Sequence, residues 1–87
     1  KVFPHTFQVK VLISPKYQWR LVEEYGPDCF TVQKDGRLLA SFGFTDEESI
    51  LSWILSFRGG AELLEPEELR EKLAAFGKEL QKQYSNS

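Results

Sequence analysis

The sequence predicts an α+β domain, a ferredoxin-like βαββαβ sandwich with an additional C-terminal helix, and three observations carry that prediction. Apolar residues alternate with polar ones in the first segment and on both sides of Asp35-Gly36. They recur at spacings of three and four in the intervening segments. The resulting order is strand, helix, hairpin, helix, strand, with one more helical stripe after Pro66. A hairpin flanked by two strand–helix units gives a four-stranded antiparallel sheet with two helices on one face. At 87 residues the chain fits a single domain, 1–87, with a real core and little room for a second.

Each element has its own local reason. From His5 to Ser14, strict alternation puts Phe7, Val9, Val11 and Ile13 on one face, the signature of a strand with one buried side. Ser14-Pro15 predicts a helix start, serine as cap and proline at the first helical position, where its missing N–H costs nothing. Trp19, Val22, Leu21 and Tyr25 supply that helix's apolar side, and Gly26-Pro27 ends it. Phe30 and Val32, then Leu38, Ala40, Phe42 and Phe44, alternate around Asp35-Gly36, which predicts a two-residue turn with positive φ at both central positions.

Thr45 and Glu48 form a capping-box pattern, and Ile50, Trp53, Ile54 and Phe57 follow at helical spacing, with Leu51 and Leu55 widening the stripe. After Gly59-Gly60, Ala61 to Glu65 predicts a last strand. Pro66 opens the final helix, with Glu67 and Glu68 in the first turn, where carboxylates favour the helix dipole. Leu69, Leu73, Phe76, Leu80 and Tyr84 give that helix an apolar face, so it must dock on something.

Composition narrows the function classes. No apolar run approaches the roughly 18 residues of a membrane helix, so no membrane partner is expected. A net charge of −2 argues against a sequence-blind nucleic-acid binder, which needs a basic surface. Acids and bases balance through Gly60, however, and the surplus acid begins at Glu62, which leaves room for a local basic patch. Cys29 is the single cysteine, which excludes an internal disulfide and suits a reducing cytoplasm. The chain begins at Lys1 and contains no methionine, so the expectation is a piece excised from a longer protein.

The residues offer no catalytic or metal-binding constellation and call for no cofactor. His5 and Cys29 are single and unpaired by sequence, and the adjacent acids Glu23-Glu24, Glu47-Glu48 and Glu67-Glu68 point to different helix faces. Acylphosphatases and amino-acid-sensing ACT domains place a glycine-bearing loop after the first strand, whereas the corner here is Ser14-Pro15-Lys16. RNA-recognition motifs need rings on the open sheet face. Alternation sends Gln8, Lys10, Leu12, Leu39, Ser41 and Gly43 there, none of them aromatic. Arg58-Gly59-Gly60 follows a helix and precedes a strand, the reverse of a helix-N-terminal phosphate cradle. A softer cluster remains: Lys16, Tyr17, Trp19 and Arg20 lie on the first helix, with Lys10, Lys34, Arg37 and Arg58 able to join them. Cations beside rings can hold nucleotides or single strands; the alternative is a solvated rim over an inward-packed Trp19.

The segment WILSFRGGAELLEPEELREKL carries something more specific. It resembles the C-terminal extension (WCX) of WYL-domain, DeoR-like bacterial transcriptional regulators. In that family a tryptophan-led helix runs into an aromatic residue and glycine, then an A-E-V-L-E-P-type strand, then E-E-L-R and a terminal amphipathic helix ending near a tyrosine. Trp53, Leu55, Phe57, Ala61, Glu62, Leu64, Glu65, Pro66, Leu69, Arg70 and Tyr84 fall on that pattern. Arg58 departs from it, standing where the family usually has glycine.

The resemblance implies an accessory domain that senses an effector and contributes to a homodimer. A winged helix-turn-helix and a WYL module, both absent from this sequence, would belong to the same chain, the former binding operator DNA. It further implies an anionic or single-stranded nucleic-acid effector. From charge alone, the residues to meet it are Lys10, Lys16, Arg20, Arg37 and Arg58. The alternative is an assembly module with no ligand.

Overall fold

The computed structural model describes residues 7–85, so His5, the beginning of the expected first strand and Asn86-Ser87 lie outside it. Strand β1 spans Phe7–Ile13, α1 Gln18–Tyr25, β2 Phe30–Val32, β3 Leu38–Phe44, α2 Glu47–Leu55, β4 Ala61–Glu65 and α3 Glu67–Tyr84. The four strands form one antiparallel sheet in the order β2-β3-β1-β4. The most apolar strands, β1 and β3, are central, paired from Phe7 opposite Phe44 to Ile13 opposite Leu38. β4 is an edge strand, and its register against β1 shifts between Lys10 and Val11.

Alternation translates directly into burial. Val9, Val11, Ile13, Leu38, Ala40, Phe42, Ala61 and Leu63 line the inner face, under Leu21 of α1, Ile50 and Ile54 of α2, and Phe57. Trp53 packs among Tyr25, Phe42, Phe44 and Phe57, with ring centroids 4.9–6.3 Å apart. Edge-to-face pairs of this kind add to the area they bury. Trp53 Nε1 is buried with no hydrogen-bond partner among the described residues.

Several local expectations are corrected. Ser14 caps a 3₁₀ turn, Pro15–Tyr17, rather than the α-helix, which starts at Gln18. Only Leu21 of α1 is fully buried; Trp19 is 64 % exposed, and Val22 and Tyr25 are partly exposed, the Tyr25 ring lying against Phe42 at 4.5 Å at the margin of the core. The hairpin loop holds three residues. Gly36 N–H donates to Gln33 O at 2.9 Å and Gln33 N–H to Arg37 O at 2.8 Å. Of the expected pair, only Gly36 has positive φ, as in a type I turn closed by a glycine bulge. Asp46, not Thr45, caps α2, its carboxylate accepting from Ser49 N–H at 2.8 Å. That bond, to the charged form, holds the Asp46 carboxyl below its ordinary range.

The final helix departs most from expectation. Leu69 is buried and Leu73 partly so, but Ala74 through Ser85 are all exposed. Arg70 donates to Leu63 O at 2.8 Å, and Lys72 pairs with Glu47 at 2.8 Å; beyond that point α3 leaves the body of the domain. Its apolar face docks over the first two turns only.

Candidate functional site

The corner between α2 and β4 is built tightly. Gly60 N–H donates to Phe57 O at 2.8 Å, with Arg58 at φ 53° and Gly59 at φ 87°, a turn of type I′ character. Arg58 thus occupies a left-handed conformation that suits glycine and strains an arginine. Gly60 is required for a different reason: a Cβ there would lie within 2.9 Å of two Tyr17 ring carbons. Gly60 O also accepts from Ser14 N–H at 2.7 Å, which locks the β1–α1 corner onto the α2–β4 corner.

Around this junction three of the five basic candidates gather. Lys16 Nζ lies 5.4 Å from the centre of the Tyr17 ring. The Arg20 guanidinium lies 4.0 Å from the centre of Phe57, whose ring meets Tyr17 edge-on at 5.2 Å. Arg58 follows Phe57 directly and is exposed. Arg20 is the least available of the three. It donates to Ser56 Oγ at 2.8 Å, pairs with Glu24 at 3.5 Å, and its side chain is only 20 % exposed. The guanidinium therefore clamps α1 to the end of α2.

The other two candidates stand apart. Arg37, in the β2–β3 hairpin, pairs with Asp35 at 2.9 Å and Glu62 at 3.3 Å. Arg37 N–H also donates to Asp35, and this bond first, then the side-chain one, holds that carboxyl below its usual range. Arg37 separates two shallow recesses that share Leu12, one of about 510 Å³ with Gln33 and Lys34, the other of about 200 Å³ with Ser14 and the two glycines. Lys10 lies on the open sheet face, 4.0 Å from Glu65. The five residues thus form a basic corner of Lys16, Arg20 and Arg58, with Arg37 and Lys10 separately paired to acids.

Sequence reasoning missed Glu62, which bridges Arg37 and, at 3.6 Å, Arg70 of α3. Nothing in its sequence neighbourhood signals a partner 25 residues away. It missed too that Phe76 and Leu80 stay bare, since periodicity marks a face without naming what covers it.

Among the described residues no group of three or more His, Cys, Asp or Glu side chains is placed to hold a metal ion, and no helix is long and apolar enough to cross a membrane. Cys29 is half-buried, its thiol 3.9 Å from Leu21 O, and burial pushes its pKa up, away from nucleophilic use. No curated protein matches the chain. A family model described as the WCX domain matches residues 5–81.

Proposed function

Since the chain belongs to the WCX domain family, found in WYL-domain transcriptional regulators and not a known catalytic family, we propose that it is an accessory domain of a bacterial regulator of that kind. In this reading it senses an anionic or single-stranded nucleic-acid effector and modulates operator binding by a winged helix-turn-helix elsewhere in the same cytoplasmic protein. The family match is the observation that carries the reading. The strand order and antiparallel pairing also support a ferredoxin-like sandwich as its framework.

The effector reading is supported by the corner of Lys16, Arg20 and Arg58 around Tyr17 and Phe57, where charge and ring faces coincide. An effector acts there only if it binds two arrangements of the regulator unequally. Lys16 and Arg58 are the side chains free to meet it, and Arg20 holds the rings in place. The test is to titrate the regulator with short single-stranded DNA at several salt concentrations, with and without Lys16→Glu plus Arg58→Glu. Loss of two phosphate contacts should weaken binding at least about tenfold and reduce the log–log salt slope by about 1.4. Unchanged affinity and slope would remove the corner from consideration.

A second reading, assembly without a ligand, is favoured by one observation, the bare apolar stripe on α3.

A further inference from the structure

We infer that the Asp35–Gly36 link is a site of backbone isomerisation, Asp35 becoming an isoaspartyl residue, and that Arg37 holds the rearrangement in check. Neither an effector nor a second chain takes part. Of the three aspartates, Asp35 alone precedes a glycine; Asp28 precedes Cys29 and Asp46 precedes Glu47. A following glycine leaves its amide nitrogen open to the aspartyl side chain, since no Cβ shields it. Gly36 has open space where a Cβ would lie, and Asp35 is exposed in the β2–β3 hairpin loop. The step needs only water. Gly36 N attacks Asp35 Cγ, a C–N bond forms and the carboxyl C–OH bond breaks. The hydroxyl leaves with the amide proton as water, and a five-membered succinimide remains. Water then opens the ring. Attack at the side-chain carbonyl restores aspartate; attack at the main-chain carbonyl of Asp35 routes the chain through Cβ and Cγ and leaves the α-carboxylate as the side group.

The folded hairpin opposes this step at both reacting groups. The nucleophile is occupied: Gly36 N–H donates to Gln33 O at 2.9 Å. The electrophile is occupied twice by one residue. Asp35 Oδ1 accepts from Arg37 N–H at 3.0 Å, and Oδ2 accepts from Arg37 Nε at 2.9 Å. Bonds to both oxygens favour the carboxylate, which lacks the hydroxyl that must leave. They also turn the carboxylate toward residue 37 and keep it from rotating onto residue 36. Arg37 is itself braced, by Glu62 of β4 at 3.3 Å and by Gln33 N–H on its carbonyl at 2.8 Å. Isomerisation undoes that brace. It adds one carbon to the main chain between Gln33 and Arg37, whose hydrogen bond closes the loop, and so draws Arg37 away from Glu62 and from the recess of about 510 Å³ that it walls with Leu12 and Lys34.

The test is prolonged warm incubation of the 87-residue chain at neutral pH beside a synthetic peptide of residues 32–39. After digestion, the isoaspartyl form of the Asp35 fragment is counted by chromatography and mass spectrometry, since it keeps the parent mass and elutes apart. The chain should isomerise at least about tenfold more slowly than the peptide, because breaking one hydrogen bond to a charged group on the way to the transition state is worth about that factor. Arg37→Ala keeps the backbone N–H and loses an exposed charged partner, so it should react at least about threefold faster than the parent. Arg37→Lys, which keeps the charge without the Nε bond, should fall between them. Glu62→Gln spares both bonds to Asp35 and should leave the rate unchanged, and Asp35→Glu should abolish the signal. A parent chain as fast as the peptide overturns the protection. Arg37→Ala and Arg37→Lys at the parent rate, with cooperative unfolding retained, overturn the part given to Arg37; a signal that survives Asp35→Glu overturns the site.

Discussion

Helices α2 and α3 invert the usual relation between length and burial. In α2, Glu47–Leu55, the carboxylate of Asp46 caps the start, and Ile50, Ile54 and the following Phe57 are buried. The 18 residues of α3 contribute one fully buried side chain, Leu69. Both carry an apolar stripe of comparable regularity. The difference teaches that periodicity specifies a face in need of cover, whereas topology decides whether the chain itself supplies it. Strands β3 and β4 and the side chains of α1 converge on α2, whereas α3 rests on the edge strand β4 and meets α2 only near its own start, through Lys72 and Glu47.

The comparison can be broken most forcefully at Phe57. It is fully buried, meets Tyr17 and Trp53 edge-on, and carries Arg20 over its face. Phe57→Ala should cost about 3–5 kcal/mol in chemical denaturation, whereas Leu80→Ala in the monomer should change stability by less than about 1 kcal/mol. Equal costs would mean that α3 is docked after all. Next in size is Gly60→Ala, where the new methyl collides with Tyr17 and with Phe57 O at 3.0 Å. A loss of about 1–3 kcal/mol is expected, with Tyr17→Ala in the same chain relieving part of it.

Two smaller changes should stabilise, each in its own region. Arg58→Gly releases the left-handed strain at φ 53° and should raise stability by about 1 kcal/mol, read as a higher denaturation midpoint. Gly77→Ala replaces a helix-interior glycine in open space and should add about 1 kcal/mol, read as helicity gained in α3 rather than a tighter core. The smallest effect concerns acid. The Asp46 carboxyl is held below its ordinary range by Ser49 N–H, so its contribution is present above the unfolded-state pKa and is lost as pH falls through the folded one. The stability gap between the parent chain and Asp46→Ala should therefore narrow as pH drops through the carboxylate range, measured by thermal melts at a series of pH values.

What was legible in the sequence was what short-range pattern determines. Alternation located the inner faces of β1 and β3, and the spacing of Ile50, Ile54 and Phe57 located α2. Which residue caps and which turn forms depends on one-residue shifts that neighbouring donors decide, so Thr45 yielded to Asp46 and a two-residue turn to a three-residue one. The basic candidates were chosen by charge, and charge alone says nothing of a nearby acid. Asp35 and Glu24 lie two and four residues from Arg37 and Arg20, but Glu62 and Ser56, 25 and 36 residues away, become partners only in the folded chain. Trp19 was expected inward because it is large and apolar, but Leu21 alone occupies the inward position of α1.

The shallow anchorage of α3 also has a mechanical side. From Leu69 to Tyr84 the helix reaches about 22 Å, so a rotation of about 10° at its base carries the tip about 4 Å. The contacts that set its angle are few: the Leu69 plug, Arg70 on Leu63 O, the Lys72–Glu47 pair, and Glu62 shared between Arg70 and the hairpin's Arg37. The geometry is that of a long arm on a short base, in which the angle set at Leu69 fixes where Tyr84 lies.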